Sequence, residues 1–275
     1  MHIVVIMDPP ETVVVDSDTS FALMLEAQRR GHRVDHCMAH DLVLDAGRLY
    51  ARTRRAHMSR QAPQPMTLED ATRLCLHDVD LVLVRTDPPF DMAYWSCTLM
   101  LDRLAGQVPV VNAPEGLRRA NEKLYACYFP ELMPRTLVTS ERSDIVAFVD
   151  EVGGHAVAKS LSGHGGSGVM ALRKGDDNFN SIVEGMTSHG KQLIMLQEYL
   201  PAVRDGDKRV LVLDGEPLGA VLRRPQGGDL RSNLHVGGKA VKSPVDETDR
   251  RIVEALAPRL RADATNVVAY TTLKG

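Results

Sequence analysis

Apolar residues along this chain come in short runs separated by polar clusters, so its elements can be read one by one. Ile3 to Met7 is an unbroken apolar run that stops at Asp8-Pro9-Pro10. That is the pattern of a strand buried on both faces. Asp16-Ser17-Asp18-Thr19-Ser20 then offers N-cap candidates for a helix that places Phe21, Met24, Leu25 and Gln28 on one face. Gly31 suits the stop just past its end. Val34 to Met38, Asp80 to Val84 and Val108 to Val111 predict three more strands, the second of them closed by Arg85-Thr86-Asp87-Pro88-Pro89. Strands alternating with helices predict an open, mostly parallel α/β sheet over residues 1–120. Within it, residues 45–70 carry Arg48, Arg52, Arg54, Arg55 and Arg60 together with Pro63 and Pro65. They read as an exposed excursion rather than an anion-binding patch, because no aromatics interleave with the cations.

From about Glu115 the pattern changes, which predicts a second domain over 121–275. A helix is expected through Leu117 to Tyr128, ending near Pro130. A strand at Thr136 to Val138, a helix at Asp144 to Glu151 and a strand at Ala156 to Ala158 follow, then a glycine-rich turn at Gly163 to Gly168. Leu193 to Tyr199 and Arg209 to Leu213 are further strands, and Asp214-Gly215-Glu216-Pro217 is a hairpin turn. Residues 225–239 read as a polar, Gly-rich functional loop. The last helix, Asp246 to Arg261, should bury Ile252, Val253, Leu256 and Leu260 and be kinked by Pro258.

Composition narrows the function classes. Thirty-three Lys+Arg against 36 Asp+Glu, a net charge of -3, argue against a general nucleic-acid binder. Hydrophobic residues at 44% with 25% charged exclude intrinsic disorder. No apolar run approaches the roughly 20 residues of a membrane helix, and the N-terminus lacks a basic region before its short apolar run. Cys37, Cys75, Cys97 and Cys127 form no CxxC pair, so neither a zinc site nor a disulfide framework is expected. The expected compartment is the reducing cytoplasm, and a homo-oligomer is left open.

The chemistry concentrates in Lys159-Ser160-Leu161-Ser162-Gly163-His164-Gly165-Gly166-Ser167-Gly168. Glycines let backbone N–H groups approach phosphate oxygens, and the lysine adds a point charge. The segment is neither a Walker A loop nor a Rossmann fingerprint, and alone it fits a simple hairpin turn equally well. Its neighbours add to it. Lys123 lies upstream in Asn121-Glu122-Lys123-Leu124. Gln197-Glu198-Tyr199-Leu200 ends a strand at Pro201, and an adenine can use such a backbone edge. Asp205-Gly206-Asp207 is a tight turn delivering Lys208 and Arg209 into the next strand. Two lysines, a glycine-rich flap, a hinge strand and a cationic turn are the layout of an ATP-grasp fold.

In detail the chain resembles the prokaryotic glutathione synthetases. The stretches that carry the resemblance are Met7-Asp8-Pro9, Ser20 to Gly31, Asp87-Pro88-Pro89-Phe90-Asp91, Asn121 to Leu124, Gly206 to Val212 and Asp214 to Pro217. Pro225-Gln226-Gly227-Gly228 and Asn233 belong to a loop of the kind that closes over substrate in that family. The resemblance implies an ATP-dependent ligase that joins γ-glutamylcysteine and glycine through an acyl phosphate, with ATP and Mg²⁺ as cofactors. It implies that Lys123 and Lys159 hold phosphates beneath a flap of Gly163, Gly165 and Gly166. Gln197, Glu198, Tyr199 and Leu200 would line the adenine with Lys208 nearby, and Arg209 and Arg223 would stabilise the transferring phosphoryl group. Arg85 and Asn233 would bind γ-glutamylcysteine. For each cation the alternative is a surface salt bridge.

Three departures qualify that picture. The family has a lysine where Thr86 stands, and an acidic residue in the flap where this chain has His164 nearby. After its last helix the family has a strand bearing an Asp and then Glu-x-Asn, which ligate Mg²⁺. Here the residues after Arg261 show no Asp…Glu-x-Asn pattern: Asp263 and Asn266 are the nearby oxygen ligands, Asn266 is the metal-ligand candidate, and Ala264 stands where the Glu would be. The expectation is therefore an incomplete, C-terminally truncated ATP-grasp domain with little ligase turnover. The alternatives are an inactive relative that binds nucleotide or a partner, and a ligase for another acid and amine.

Overall fold

His2–Ile6 forms β1 with Val4 and Ile6 in one apolar cluster and Ile3 and Val5 in another, which is why this strand reads as a continuous apolar run. The computed structural model describes residues 1–61, 64–224 and 239–273. The chain divides into two units: Met1–Arg119 with Asp263–Thr265, and Ala120–Ala262 with the chain from Asn266 onward.

The first unit's sheet contains β1, β2 (Arg33–Cys37), β3 (Leu42–Asp45), β4 (Arg48–Met58), β5 (Met66–Leu68), β6 (Thr72–Cys75), β7 (Leu81–Val84) and β8 (Val110–Val111). Its order is β3-β4-β2-β1-β7-β8, with β5 and β6 also on β4. β2, β1, β7 and β8 are parallel. Helix α1 (Thr19–Arg29) starts at Asp18, whose carboxylate accepts from the Phe21 N–H at 2.9 Å. Phe21 and Met24 of α1 bury themselves on the Ile3/Val5 side. Helix α2 (Met92–Leu101) packs Cys97 and Leu101 on the Val4/Ile6 side, and α3 (Pro114–Arg119) ends the unit's main segment.

Residues 45–70 are not an excursion. They contain all of β4, an antiparallel strand against β2, β3, β5 and β6, and β5 as well. Leu49, Ala51 and Thr53, then Ala56 and Met58, alternate inward while the arginines between them face out. The period-2 signal is present in the sequence, but the arginine density masks it.

The second unit holds two antiparallel four-stranded sheets. One has the order β11 (Val169–Arg173), β10 (His155–Ser160), β12 (Ile194–Glu198), β9 (Thr136–Thr139). Helices α4 (Arg142–Glu151) and α5 (Phe179–Thr187) cover its Ala156, Ala158, Ile194 and Leu196 face. The other has the order β15 (Lys239–Ser243), β14 (Glu216–Arg224), β13 (Asp207–Leu213), β16 (Val267–Leu273). Helix α6 (Glu247–Ala262) covers its Val210, Val212 and Ala220 face and runs on past Pro258.

One further expectation is corrected. Residues 117–128 are not one helix, because the Asn121 carboxamide oxygen accepts from the N–H groups of Lys123 and Leu124, both at 3.0 Å. That side-chain turn competes with helical bonding and breaks the chain after α3. After α6, β16 pairs antiparallel along the full length of β13.

Candidate functional site

On β10 and β12 odd positions point away from α4 and α5, and on β9 even positions do. Lys159 pairs in register with Met195, and Val157 with Gln197, which in turn pairs with Thr136. Residues directly opposite in a ladder share a face. Lys159, Gln197, Thr136 and His155 therefore lie on the side without helices. Lys159 Nζ donates to Gln197 Oε1 at 2.5 Å, and Gln197 Nε2 donates to Thr136 Oγ1 at 3.0 Å. Burial, and secondarily the Lys123 charge, pulls the Lys159 pKa below the usual lysine value.

Lys123 reaches the same place. Its Nζ donates to the Gly163 carbonyl at 2.6 Å and lies 3.4 Å from Glu122. The Asn121 amide donates to Leu161 O at 3.5 Å. The glycine-rich loop is thus tied down at both ends: Ser160 N–H donates to Gly168 O, and Ser167 N–H to His164 O, both at 2.9 Å. Gly165 and Gly166 take φ of 59° and 89°. Gly163 is required by space, because a Cβ there would lie 2.5 Å from Ser167 O. Gly163→Ala should push the loop out of place and weaken ATP binding roughly tenfold, about one hydrogen bond's worth, with the melting temperature little changed. Isothermal titration alongside a melt checks both halves.

Glu198, Tyr199 and Leu200 lead out of β12 toward the second sheet. Glu198 N–H bonds Arg135 O at 2.9 Å, and Tyr199 N–H bonds His155 O at 3.3 Å. The Tyr199 ring stacks on His155 with centroids 3.9 Å apart. Its hydroxyl is buried with no hydrogen-bond partner among the described residues. The His155 pKa is lowered by burial, then by Arg173 and Arg204.

On β13 the alternation splits the predicted cations. Asp207 and Arg209 face away from α6, as does Arg223 of β14, which pairs in register with Asp207. Arg223 grips the Asp207 carboxylate through Nε at 2.6 Å and Nη2 at 3.0 Å, and its Nη2 also donates to Thr271 Oγ1 at 3.4 Å. Lys208 is taken out of this set. It points to the α6 side, is 2% exposed, and pairs with Asp249 and, at 2.8 Å, with Asp246. Burial opposes its charge, but the hydrogen bonds to the two carboxylates win and raise its pKa. A residue between Asp207 and Arg209 on a strand cannot share their face.

Asn266 is not brought to the cationic group either. Its carbonyl accepts from Asp214 N–H at 2.7 Å, at the hairpin end of β13, whereas Asp207 begins the strand. Among the described residues no three Asp, Glu, His or Cys side chains could hold a metal ion together. Asp207 is the carboxylate that stands beside Arg209 and Arg223. Both of its oxygens are engaged by Arg223, so among the described residues no vacant carboxylate faces the cationic group, and Mg²⁺ would be held there through nucleotide phosphate oxygens and water.

In the first unit Arg85 follows β7. Its Nε donates to Ser20 Oγ at 3.0 Å and its Nη2 to Thr19 Oγ1 at 2.7 Å. Both partners are hydroxyls, so among the described residues no carboxylate neutralises it. Beside it, Asp8 Oδ2 accepts from Asp87 N–H at 2.7 Å, and the Thr86 hydroxyl is buried with no partner among the described residues. These groups sit past the carboxyl ends of parallel strands, where ligands bind open α/β sheets. Asn233 and residues 225–228 lie outside the described residues.

Sequence reasoning did not find Thr136, and nothing local marks it, since its partner Gln197 is 61 residues away. The partners of Lys208 could have been found. Asp246 and Asp249 cap the start of α6 reciprocally, each accepting the other's N–H, and an acidic pair at that spacing before an apolar run is a helix-start signature.

Known proteins match this chain over nearly its whole length. The family model of the prokaryotic glutathione synthetase N-terminal domain matches residues 1–118, and that of the corresponding ATP-grasp domain matches residues 122–271. Glutathione synthetase of Synechococcus elongatus is 41% identical over 285 residues, covering 100% of this chain and 88% of that protein. The Gloeobacter violaceus glutathione synthetase is 42% identical, covering 96% and 83%. Among solved structures, D-cycloserine synthetase DcsG superposes with a TM-score of 0.65 at 15% identity, over 99% of this chain and 87% of that one. The D-alanine–D-alanine ligase of Bacillus anthracis, complexed with ATP, gives 0.59 at 14% identity, over 100% and 82%. At such identities these two show the fold alone, an ATP-grasp fold.

Proposed function

This chain belongs to the prokaryotic glutathione synthetase family, and from that premise we propose how its residues divide the work. The reaction is ATP-dependent ligation of γ-glutamylcysteine to glycine through an acyl phosphate. Mg²⁺ bound with the nucleotide supplies charge neutralisation at the phosphates. Lys159 and Lys123 attract the phosphates on the open face of β10 and β12, beneath the loop from Gly163 to Gly168. The backbone of Glu198 to Leu200 meets the adenine edge, with Gln197 at its base. Arg209 and Arg223 stabilise negative charge that develops during phosphoryl transfer, Arg223 being aimed by Asp207. Arg85, held by the Ser20 and Thr19 hydroxyls, binds a carboxylate of γ-glutamylcysteine. The protein contributes positioning and preorganised charge.

The observation that carries this division is that Lys159, Gln197 and the Lys123-anchored glycine loop share one helix-free face. The experiment is ADP release by the purified protein with γ-glutamylcysteine, glycine and Mg²⁺, with the product identified by mass. Glutathione should appear only when all substrates are present. ADP release absent with both substrates would leave a nucleotide-binding relative, and release with a different amine would reassign the acceptor. Arg85→Ala should raise the KM for γ-glutamylcysteine about tenfold or more, the scale of a charge-assisted hydrogen bond, and leave ATP affinity unchanged. An ATP-side effect of the same size would place Arg85 elsewhere in the mechanism.

A further inference from the structure

Thr136 begins β9, an edge strand, and is half-buried. A threonine hydroxyl has one hydrogen. Here that hydrogen goes to the Pro134 carbonyl at 2.7 Å. Toward Gln197 the same oxygen can therefore only accept, and it does so from Gln197 Nε2 at 3.0 Å. A primary carboxamide with its NH2 committed on one side must present its oxygen on the other. That oxygen meets Lys159 Nζ. The reverse orientation would set an NH2 against an ammonium and a carbonyl against a hydroxyl whose hydrogen is already used. Both bonds would be lost.

The consequence falls on Lys159. Desolvation and the neighbouring Lys123 both disfavour its charge. Among the described residues Gln197 is the one side chain that accepts from it. We propose that Thr136 is a positioning residue for nucleotide binding: it locks the Gln197 carboxamide so that its oxygen holds and aims the Lys159 ammonium on the open face of the sheet. This rests on the reading of Lys159 as a phosphate-binding group. Thr136 itself touches neither the lysine nor the phosphate, and its effect passes through one amide.

The experiment is a double-mutant cycle in the full chain, read as dissociation constants for ATP and for γ-glutamylcysteine by calorimetry. Thr136→Val keeps the branched shape that a strand favours and removes the hydroxyl. It should raise the ATP constant roughly fivefold to tenfold, the net worth of a hydrogen bond within a charged pair. The γ-glutamylcysteine constant should stay within about twofold, since that substrate does not contact this amide. Thr136→Ser restores a hydroxyl and should restore ATP affinity. Gln197→Met alone should weaken ATP binding by a similar factor, and adding Thr136→Val to it should change nothing further. Additive losses, or equal weakening of both ligands, would mean that Thr136 merely supports the strand, and the proposal would be overturned. Lys159→Met separates the two layers. If it weakens ATP binding while Thr136→Val does not, the relay is wrong and the lysine's role stands. If it leaves ATP binding intact, the phosphate reading of Lys159 is wrong and the relay falls with it. Should the valine variant not fold, Thr136→Ala and the Gln197 arm give the same comparison.

Discussion

Lys159→Met lowers ATP affinity by roughly tenfold to a hundredfold, the range expected when a charge-assisted hydrogen bond worth about 1.5–3 kcal/mol is removed. The methionine keeps the length and apolar stem of the side chain, so packing against Met195 and Val157 changes little and the loss reports the charge. Lys159 is held by a neutral acceptor, Gln197, and by no carboxylate among the described residues, so its ammonium is not neutralised before ATP arrives. Its folded pKa is lowered, so the charge is lost at a lower pH than on an exposed lysine. Nucleotide affinity should accordingly decline on the alkaline side at a lower pH than an ordinary lysine would dictate. Calorimetric titration of ATP from neutral to alkaline pH checks both statements. An affinity within twofold of the parent in the methionine variant would remove Lys159 from the phosphate site.

Asp249→Ala destabilises the second unit by about 3–5 kcal/mol, the scale of breaking a buried ion pair by removing one member. Lys208 and Asp249 have side chains only 3% exposed, and the lysine lies on the α6 side of β13 among Val210 and Val212. Removing the carboxylate takes away the buried one of the ammonium's two partners, leaving it the half-exposed Asp246, and also deletes half of the reciprocal cap at the start of α6. The melting temperature should fall by roughly 6–20 °C for a unit of this size. Lys208→Met combined with Asp249→Leu should recover most of that loss, because an apolar pair leaves no uncompensated charge. Asp246 adds a pH dependence. Lys208 first, then the Asp249 N–H, holds its pKa down at about 2. A depressed carboxyl contributes stability that is present above its unfolded value and is lost as pH falls through the folded one. The melting temperature should therefore drop between about pH 5 and pH 2, and Asp246→Asn should flatten that slope. A slope unchanged by Asp246→Asn would show that other carboxylates govern acid stability.

Much of this molecule was legible in local pattern because local rules produce it. The unbroken run Ile3 to Met7 forms a strand buried on both faces, and Asp18 caps the helix that its position suggested. Lys159 followed by four glycines becomes a strand end and a tied loop, as backbone conformational limits require. Density of charge hid β4, since the arginines between Leu49, Ala51 and Thr53 outweighed a correct alternation. Propensity suggested a helix through Asn121, where a single side-chain turn wins locally.

The sequence by itself determined the family, the order of the elements and the identity of the cationic residues around the glycine loop, because those are properties of residue type and spacing along the chain. Only the tertiary structure decided which of those cations share a face. Strand alternation turns Arg209 outward and Lys208 into the α6 core, though they are adjacent, and register between β12 and β9 brings Thr136 to Gln197 across 61 residues. A side chain's charge is written in its own codon, but whether that charge meets a carboxylate, a carboxamide or water depends on which distant strand the ladder sets beside it.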